Sequence, residues 1–380
     1  MHEIRASVSP GETRTALLRD GEAVEFAVER GGLSTGVGAL HLARVSAVAP
    51  AMSGAFLTLA GEVTGFLPES EAPGRPIAKS VQEGMAIAVR VTRAPQGGKG
   101  PRLSARLGRA DAALAGAARA PALLRPAPEA ALRLALTHPD APVVTDGAAL
   151  AARLRAVLGR ERVALRPAAA FDEAVEAEFA TLLEHSVPLP GGGRLLVHPT
   201  PALVAMDVDA GAHAGARDAA AQLRMNAAAM AEAARQIRLR NLAGAILLDP
   251  AGLAVRRREA LLEPLAAALA ADPLAPRLLG LTRLGLIEIV RSRVQPPLHD
   301  VLGLPPSALT HGLAALRRAT REASLAPGRR LALHAAPAVL GALRALPDAL
   351  STYAQGAGHD LALQADPLRA PGEEMVAPAA

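Results

Sequence analysis

The sequence contains no cysteine and no tryptophan, and only one tyrosine and five phenylalanines among 380 residues. The absence of cysteine excludes disulfide bridges, thiol nucleophiles and thiolate zinc sites. No apolar run reaches the roughly 18 residues that a membrane helix needs, and the first residues lack the pattern of a secretory signal. We therefore expect a cytoplasmic protein with no membrane partner and no zinc.

Lysine is also scarce. Lys79 and Lys99 are the only two lysines among 41 basic residues, so the other 39 are arginines. The formal net charge of +5 and the mean hydropathy of +0.23 indicate a globular chain with a weak preference for polyanionic partners. A chain of this length can form two to four domains with a large core.

The segment from Ala202 to Asp249 predicts a strand, a long helix and a second strand. The first apolar run ends at Asp207 and Asp209, whose spacing of two places both carboxylates on one side of the strand. The second run ends at Asp249, and successive parallel strands of such a unit usually lie side by side. Two interpretations remain open at this point: a site of hard oxygen ligands for Mg²⁺, or ordinary solvated aspartates at strand ends.

The helix between these strands, predicted over residues 216–240, is basic. It carries five arginines and two acids, which are Arg217, Arg224, Arg235, Arg238 and Arg240 against Asp218 and Glu232. Further basic residues follow the second strand, namely the triplet Arg256 to Arg258, and then Arg283 and Arg291. Arginines beside a metal site suit a phosphate-bearing substrate. We predict Arg240, Arg283 and Arg291 as contacts for such a substrate.

Short strand patterns dominate the first 107 residues. Residues 2–31 alternate as antiparallel hairpins, and five closely spaced strands over residues 39–107 suggest a small β-barrel, most simply an OB-fold. Phe56 and Phe66 fall in this barrel and Lys99 in a glycine loop. Exposed aromatic rings near a cation form a platform for single-stranded nucleic acid. The alternative, which spacing alone favours, is that both phenylalanines pack in the barrel core.

The remaining segments carry fewer chemical signals. Residues 108–130 are alanine-rich and indicate a linker or a short helix, whereas residues 131–196 read as alternating strands and helices. An amphipathic helix is predicted over residues 255–272, followed by a strand. After a proline-rich linker, a last small α/β unit ends in a segment, 369–380, that we expect to be a frayed tail.

Three blocks of this sequence resemble the ribonuclease E/G family. They are ALVAMDVDAG together with LRMNAAAMAEAARQIRLRNLAGAILLD up to residue 249, TRLGLIEIVRSRVQPPL over residues 282–298, and GAFLTLAGEVTGFLP over residues 54–68. Their order and spacing agree with the family from about residue 35 to 303. The resemblance implies an α/β multidomain chain in which an inserted OB-fold β-barrel splits an RNase H-like domain, followed by a DNase I-like domain and a small C-terminal α/β unit. The corresponding boundaries are residues 1–34 and 108–199 for the RNase H-like domain, 35–107 for the OB-fold, 200–303 for the DNase I-like domain and 304–380 for the last unit.

The same resemblance implies an endoribonuclease that acts on single-stranded RNA. Asp207 and Asp249 would be the paired ligands of Mg²⁺, with Mn²⁺ as a possible substitute, Asp209 would be a further catalytic residue, and Asn226 would have a supporting role at the site. The metal would activate water and stabilise charge on the scissile phosphate. Phe56, Phe66 and Lys99 fall where the family's barrel grips RNA, and this reverses the preference for packing both phenylalanines in the core.

The chain departs from the family pattern in several places. The family commonly has asparagine where this chain has Asp209, and the additional charge either tightens metal binding or misplaces the ion. The alanine-rich residues 108–130 replace the family's sensor of the RNA 5′ end. No cysteine exists to form the family's zinc link, so a homodimer could form only without zinc. His198 and Pro201 replace acids common in the preceding strand, which we interpret as hairpin variation.

Two further functions compete with an endoribonuclease for RNA processing or turnover. An RNA-binding protein of the same fold with weak or no nuclease activity would explain the missing sensor, the missing zinc link and the altered Asp209. A nuclease directed at DNA is a third possibility, because the metal chemistry does not distinguish the two sugars.

Overall fold

The computed structural model describes residues 1–31, 36–116, 118–167, 169–190, 192–211 and 219–379. The chain divides into two compact units. One unit comprises Met1–Gly32, Ala130–Ser292 and Pro297–Ala380, and the other comprises Leu33–Glu129 with Arg293–Pro296. None of the helices in the described ranges is both long enough and apolar enough to cross a membrane.

The smaller unit is built around a closed β-barrel. Its strands are β4 (Leu40–Ala49), β5 (Gly54–Thr58), β6 (Thr64–Pro68), β7 (Ala86–Arg93), β8 (Arg102–Ser104) and β9 (Ala122–Arg125). They follow the order β5-β6-β8-β7-β4-β9, and an additional pairing of β5 with β4 closes five of them. Leu57, Leu67, Val89 and Leu103 are fully buried inside. The expected OB-like barrel is confirmed.

The alanine-rich segment that follows the barrel is more structured than expected. It forms a short helix, α2 (Arg109–Ala113), after the earlier α1 (Ile77–Ser80), and then contributes β9 to the barrel sheet. The smaller unit therefore extends to Glu129, beyond the predicted boundary at residue 107. The sequence pattern of β9, ALLR, is too short to distinguish a strand from a helix by periodicity.

The described residues of the larger unit form three sheets. The first sheet pairs strands that precede the barrel in sequence with strands that follow it. Its strands are β1 (His2–Ser9), β2 (Glu12–Arg19), β3 (Glu22–Arg30), β10 (Val143–Thr145) and β11 (Val163–Leu165), in the order β11-β10-β1-β2-β3. The first three strands are antiparallel, as the alternating pattern predicts, whereas β10 and β11 run parallel to β1. Helices α3 (Ala130–Thr137), α4 (Ala148–Leu158) and α5 (Glu173–Thr181) accompany this sheet.

The second sheet carries the candidate site. Its six strands are β12 (Ser186–Pro188), β13 (Arg194–Pro199), β14 (Val204–Asp209), β15 (Gly244–Asp249), β16 (Arg277–Leu281) and β17 (Ile287–Arg291). The order is β12-β13-β14-β15-β17-β16, so the sheet begins before the predicted boundary at residue 200. Helix α6 (Ala219–Leu239) connects β14 to the parallel β15. The predicted strand, helix and strand are therefore present.

One face of this second sheet is covered by helices. Buried side chains of the strands, including Met206, Ile246 and Ile289, pack against α6 and α8 (Leu262–Leu269). The single helix predicted over residues 255–272 is instead α7 (Val255–Arg258), a 3₁₀ turn and then α8. The segment after it forms the antiparallel hairpin β16–β17.

The last part of the larger unit is a small layer of helices on a three-stranded sheet. It contains α9 (Leu298–Leu302), α10 (Ala308–Leu325), α11 (Pro337–Arg344), α12 (Pro347–Ala357), β18 (Leu331–Ala335), β19 (Ala362–Ala365) and β20 (Met375–Pro378). The central strand β18 is parallel to β19 and antiparallel to β20. The expectation of a frayed tail is therefore wrong for residues 375–378. Their short MVAP pattern gives no periodicity, and only the tertiary pairing shows the strand.

Candidate functional site

Two aspartates that lie 42 positions apart in sequence meet at the ends of neighbouring strands. β14 and β15 are parallel, and Asp207 and Asp249 are direct register partners in this pairing. Neighbouring strands are about 4.8 Å apart, and directly paired residues on parallel strands project to the same face. The structure thus brings together the two acids that the sequence pattern predicts to converge.

Burial shows which face of the sheet these carboxylates occupy. Along β14 the buried residues alternate with exposed or half-buried ones, so that Val204, Met206 and Val208 enter the core. Asp207 and Asp209 therefore project from the opposite face, where Asp207 is exposed and Asp209 is half-buried. The Asp209 carboxylate accepts a hydrogen bond from the Gly211 amide at 2.9 Å. This bond orders the turn by which the chain leaves β14.

The electrostatics of the pair are unfavourable to two negative charges. Partial burial raises the pKa of the Asp207 carboxyl, and the charges of Asp249 and then Asp209 raise it further, while His198 acts in the opposite direction. A carboxylate whose pKa is raised by like charges is one that a cation would stabilise. This mutual repulsion is the physical signature expected at an acid pair built to receive positive charge.

We expect Asp207→Asn to stabilise the cation-free protein at neutral pH. Because the folded pKa of Asp207 is raised, its contribution to stability is present below the unfolded pKa, about 3.9, and is lost as the pH rises through the folded value. With the discount that solvent screening requires, the gain in melting temperature is about 1–2 °C at pH 7 and disappears near pH 3. Thermal unfolding in EDTA measures it, with Asp360→Asn as a matched exposed control. A lower melting temperature at pH 7 would contradict the repulsion.

Arg258 connects Asp249 to two neighbouring loops. Its Nη1 lies 2.7 Å from Asp249 Oδ1 and donates to the Gly285 carbonyl at 2.9 Å, while Nε donates to the Leu253 carbonyl at 3.0 Å. The arginine side chain is only 13% exposed, whereas that of Asp249 is 47% exposed. Arg258 therefore fixes the position of Asp249 and leaves its carboxylate accessible from solvent.

Asn226 holds the loop that follows Asp249. This residue is fully buried in α6, and its side-chain amide donates to the carbonyls of Gln222 at 2.8 Å and Ala251 at 2.9 Å. The Ala251 amide donates back to Asn226 Oδ1 at 2.9 Å. The reciprocal pair of bonds ties helix α6 to the backbone two residues beyond Asp249. A supporting role for Asn226 agrees with this contact.

The arginines at the C-terminal end of the connecting helix, Arg235, Arg238 and Arg240, do not lie beside the aspartates. In a strand-helix-strand crossover the helix runs back along the sheet, so its C-terminal end lies at the edge opposite the carboxyl ends of the strands. Arg235 is about 24 Å along α6 from its first described residue, and it pairs with Glu178 at 2.7 Å. Arg217 and Asp218 lie outside the described residues.

Two of the three arginines predicted as substrate contacts are buried. Arg240 is 3% exposed and donates to Gln236 Oε1 and to the carbonyls of Thr181, Leu182 and Glu184, and burial lowers its pKa to about 10. Arg291 is 4% exposed, with its Nε 2.6 Å from the Asp272 carboxylate. These contacts support structural roles, and nothing in this arrangement favours contact with a substrate by either side chain.

Arg283 lies at the site edge instead. It is exposed in the turn between β16 and β17, and the carbonyl of Gly285 in the same turn accepts the hydrogen bond from Arg258. The Thr282 hydroxyl accepts from the amides of Leu284 and Leu286, which orders the turn. The guanidinium of Arg283 is thus carried by a turn that Arg258 ties to Asp249.

Sequence reasoning missed two side chains that share the face of the aspartates. On β13, Arg194 is the cross-strand partner of Asp209, and His198 is the partner of Ala205, diagonal to Asp207. Both residues are exposed. Strand alternation already places residues 194, 196 and 198 on one face, but the register that aligns them with Asp207 depends on the turn at residues 200–203 between β13 and β14, which the bonds of Thr200 order, and it is not readable from sequence.

The barrel unit carries a second candidate surface. Phe56 and Phe66 are direct cross-strand partners on β5 and β6, with ring centroids 5.4 Å apart at 60°. Both are half-buried and point away from the core, whose members on these strands are Ala55, Leu57 and Leu67. The aromatic pair therefore lies on the outer barrel surface, as a stacking platform requires. A Cβ on Gly54 would lie 2.2 Å from the Phe66 ring, so glycine there makes room for it.

Basic residues flank this aromatic pair. Lys99 is exposed in a tight turn closed by reciprocal bonds with Gln96, at the entrance to β8. The same strand pairs with β6 through Phe66 and Arg102. Phe66 and Arg102 line a groove of about 420 Å³. Burial and then the charges of Arg102 and Arg293 lower the pKa of Arg93, which indicates a concentration of positive charge in this unit.

Comparison with known proteins finds similarity over part of the chain. Residues 154–294 match the model of the Ribonuclease E/G family, a shorter range than the predicted 35–303. The chain is 38% identical to Ribonuclease E of Nostoc sp. over 133 residues, which is 34% of this chain and 19% of the relative. It is 32% identical to Ribonuclease G of Haemophilus influenzae over 117 residues, 27% of this chain and 24% of the relative. The match thus spans about a fifth to a quarter of these relatives.

Proposed function

We propose that the protein is a Mg²⁺-dependent endoribonuclease for single-stranded RNA, from the premise that residues 154–294 match the model of the ribonuclease E/G family. The observation that supports this most directly is the register pairing of Asp207 with Asp249 on the face of the sheet opposite its buried core side chains. Both acids fall inside the matched range, and the pair provides the negatively charged oxygens that a hydrolytic metal site requires.

The residues present fit a magnesium ion better than a fully protein-enclosed metal. Within the described ranges no group of three or more histidines, aspartates or glutamates could hold a metal ion. Mg²⁺ is commonly held by one or two carboxylates, with waters and substrate phosphate oxygens completing its shell. Asp207 and Asp249 would hold the ion. When bound, such an ion lowers the pKa of a coordinated water and neutralises charge on a phosphate.

The protein's own contribution is to position the acids and the substrate. Arg258 fixes one oxygen of Asp249, and Asn226 fixes the loop after it, so the acid pair is held from two sides. Arg194 is exposed on the same face and Arg283 is exposed in the turn that Arg258 ties to Asp249, so both provide forked donors for phosphate oxygens. Preorganised ligands of this kind reduce the cost of orienting the substrate.

The barrel supports the choice of single-stranded RNA as substrate. The Phe56 and Phe66 rings lie on its surface, and stacking on aromatic side chains requires bases that are not paired. Lys99 and Arg102 provide positive charge beside the rings. We assign this surface to RNA binding.

Cleavage of a defined RNA tests the proposed activity. An internally labelled, unstructured RNA is incubated with the protein in Mg²⁺, in Mn²⁺ and in EDTA, with either a 5′-monophosphate or a 5′-hydroxyl end. We expect internal cleavage in Mg²⁺ and none in EDTA. Intact RNA under every condition would overturn the proposal, and equal cleavage of single-stranded DNA of the same sequence would support a nuclease without RNA preference.

An RNA-binding protein with weak or no nuclease activity is the alternative. It is favoured by the lack of a third acidic or histidine ligand near the pair within the described ranges, and by the replacement of the family's common asparagine with Asp209. This alternative predicts salt-dependent RNA binding without cleavage at any Mg²⁺ concentration. Turnover that requires the aspartates would exclude it.

We expect Phe66→Ala to weaken binding of single-stranded RNA by about 5- to 100-fold, because one base loses its stacking partner. Phe66→Tyr keeps the ring and should retain most of the affinity. Fluorescence anisotropy with a labelled, unstructured RNA measures the effect. The expected result is the same for a nuclease and for an RNA-binding protein without nuclease activity. Val63→Ala, which removes an exposed apolar side chain in the adjoining turn, is the matched control. Equal affinity of Phe66→Ala and wild type would contradict an RNA-binding role for this surface.

Other parts of the proposal follow the resemblance alone. We propose that the first sheet is an RNase H-like domain, that the second belongs to a DNase I-like domain, and that the protein acts in cytoplasmic RNA processing. Any homodimer would form without a zinc link, since the chain has no cysteine. Analytical ultracentrifugation with and without EDTA would test the last statement, because a zinc-linked dimer dissociates on chelation.

A further inference from the structure

Two histidines form a stack beside the acid pair. The rings of His185 and His198 have centroids 5.0 Å apart and an interplanar angle of 20°. His185 is fixed from behind, because its Nδ1 lies 2.9 Å from the Val197 carbonyl and its own carbonyl accepts the Val197 amide at 2.8 Å. His198 is exposed. One ring face of His198 is therefore covered by His185, and the other is open to solvent.

Strand register fixes the position of this stack relative to Asp207. On β13, Leu196 is the direct cross-strand partner of Asp207, and His198 is the next residue on the same face. Diagonal neighbours in an antiparallel pair are about 7–8 Å apart. His198 is close enough to act on the same bound molecule as Asp207, yet it is one side chain removed from the acid pair.

The geometry of the stack does not suit a metal shared by the two histidines. Ring nitrogens of nearly parallel, stacked imidazoles point sideways in similar directions, whereas metal ligands must converge on one point. In keeping with this, the described ranges contain no group of three metal-binding side chains. A flat aromatic surface with one open face is instead the geometry that receives another planar ring.

We propose that His198, backed by His185, is a stacking platform for an unpaired nucleobase beside the acid pair of Asp207 and Asp249. This inference rests on the proposed function and adds to it a base-binding subsite on β13. His185 holds the platform in place before RNA arrives, so less side-chain freedom is lost on binding. Arg194, two alternations away on the same strand face, would contact the backbone phosphates that accompany the stacked base.

The test uses base stacking itself as the readout. A series of short unstructured RNAs, each with 2-aminopurine at a different position, is bound to the full-length Asp249→Asn variant in EDTA, so that turnover does not interfere. We expect strong quenching at one position that His198→Ala abolishes and His198→Phe preserves. Affinity should fall by about 5- to 20-fold in His198→Ala, the lower part of the range for loss of one stacked base. Leu279→Ala, which removes an exposed side chain from β16 at the other end of the same sheet, is the control.

The outcomes separate the subsite from the nuclease activity. Quenching that depends on His198 supports the platform even if the wild-type protein cleaves no RNA, in which case only the nuclease proposal fails. Equal quenching in the Asp249→Asn parent with and without His198→Ala overturns the platform even if the wild-type protein cleaves RNA robustly. Loss of the quenching in both His198→Ala and His198→Phe, with melting temperatures unchanged, also overturns the platform. An aromatic ring at position 198 would then not be enough to stack the base. His185→Ala should reduce the quenching without abolishing it, and full quenching would contradict its backing role.

Discussion

Replacement of Asp249 by asparagine should lower Mg²⁺-dependent RNA cleavage by about 10²- to 10⁴-fold. The change keeps the shape of the side chain and removes one of two charges that would hold the ion, at a cost of several kcal/mol in the transition state. It also removes the ionic part of the contact with Arg258. Single-turnover cleavage of an unstructured RNA measures the effect, and Asp207→Asn should behave alike because the two residues are register partners.

The size of the loss separates the roles of the three aspartates. Asp209→Asn should change cleavage by less than about tenfold, since its Oδ1 accepts the Gly211 amide and an asparagine oxygen can do the same. A double Asp207→Asn, Asp249→Asn variant should be no worse than either single variant, because groups that act as a unit are not additive. Wild-type cleavage by either single variant would exclude the acid pair as the catalytic centre.

Asp272→Asn should destabilise the fold by about 3–5 kcal/mol, the effect of removing one partner of a buried ion pair. Asp272 and Arg291 are both 4% exposed on their side chains, with Nε 2.6 Å from Oδ2. Arg291 also donates to Asn241 Oδ1 at 2.6 Å and to the Leu242 carbonyl at 3.1 Å, so it joins β17 to the segments before β15 and β16. Without the carboxylate, its charge remains buried and uncompensated. Urea unfolding measures the loss.

A comparison of Arg283→Ala with Asp272→Asn tests whether the region of Arg291 contacts RNA. Arg283→Ala removes an exposed guanidinium and should leave the free energy of unfolding within about 0.5 kcal/mol, while RNA affinity falls and depends less steeply on salt. Asp272→Asn should show the reverse, with weaker folding and unchanged affinity in the folded fraction. Loss of RNA affinity in folded Asp272→Asn at low temperature would restore Arg291 as a candidate contact.

The acid pair could be predicted from the sequence because the relevant constraints are local and general. Apolar runs that end on Asp207 and Asp249, with a helix-length segment between them, leave few alternatives to a parallel crossover. Register then follows from burying the apolar face of each strand. The barrel was predictable for a similar reason, since five short strands with turn residues between them have few compact arrangements.

The positions of the arginines could not be predicted in the same way. Arg235, Arg240 and Arg291 look alike in sequence to Arg258 and Arg283, because charge patterns do not reveal the direction in which a helix returns along a sheet. Tertiary packing decides that Arg240 enters the interior while Arg258 reaches Asp249. His198 was interpreted as hairpin variation since its significance depends on a register between strands and on a stack with His185.

Asp207 and Asp249 are neighbours only when β14 and β15 pair across the α6 crossover, so an unfolded chain has no comparable cation site. Any ion that bridges them therefore binds the native state selectively and shifts the unfolding equilibrium by mass action, by about 2.7 kcal/mol at a concentration one hundred times its dissociation constant. Melting curves recorded across a panel of chloride salts would thus rank divalent ions by size and hardness with no nucleic acid present. Because the ion binds only the folded protein, the melting temperature in each salt measures how tightly that ion binds.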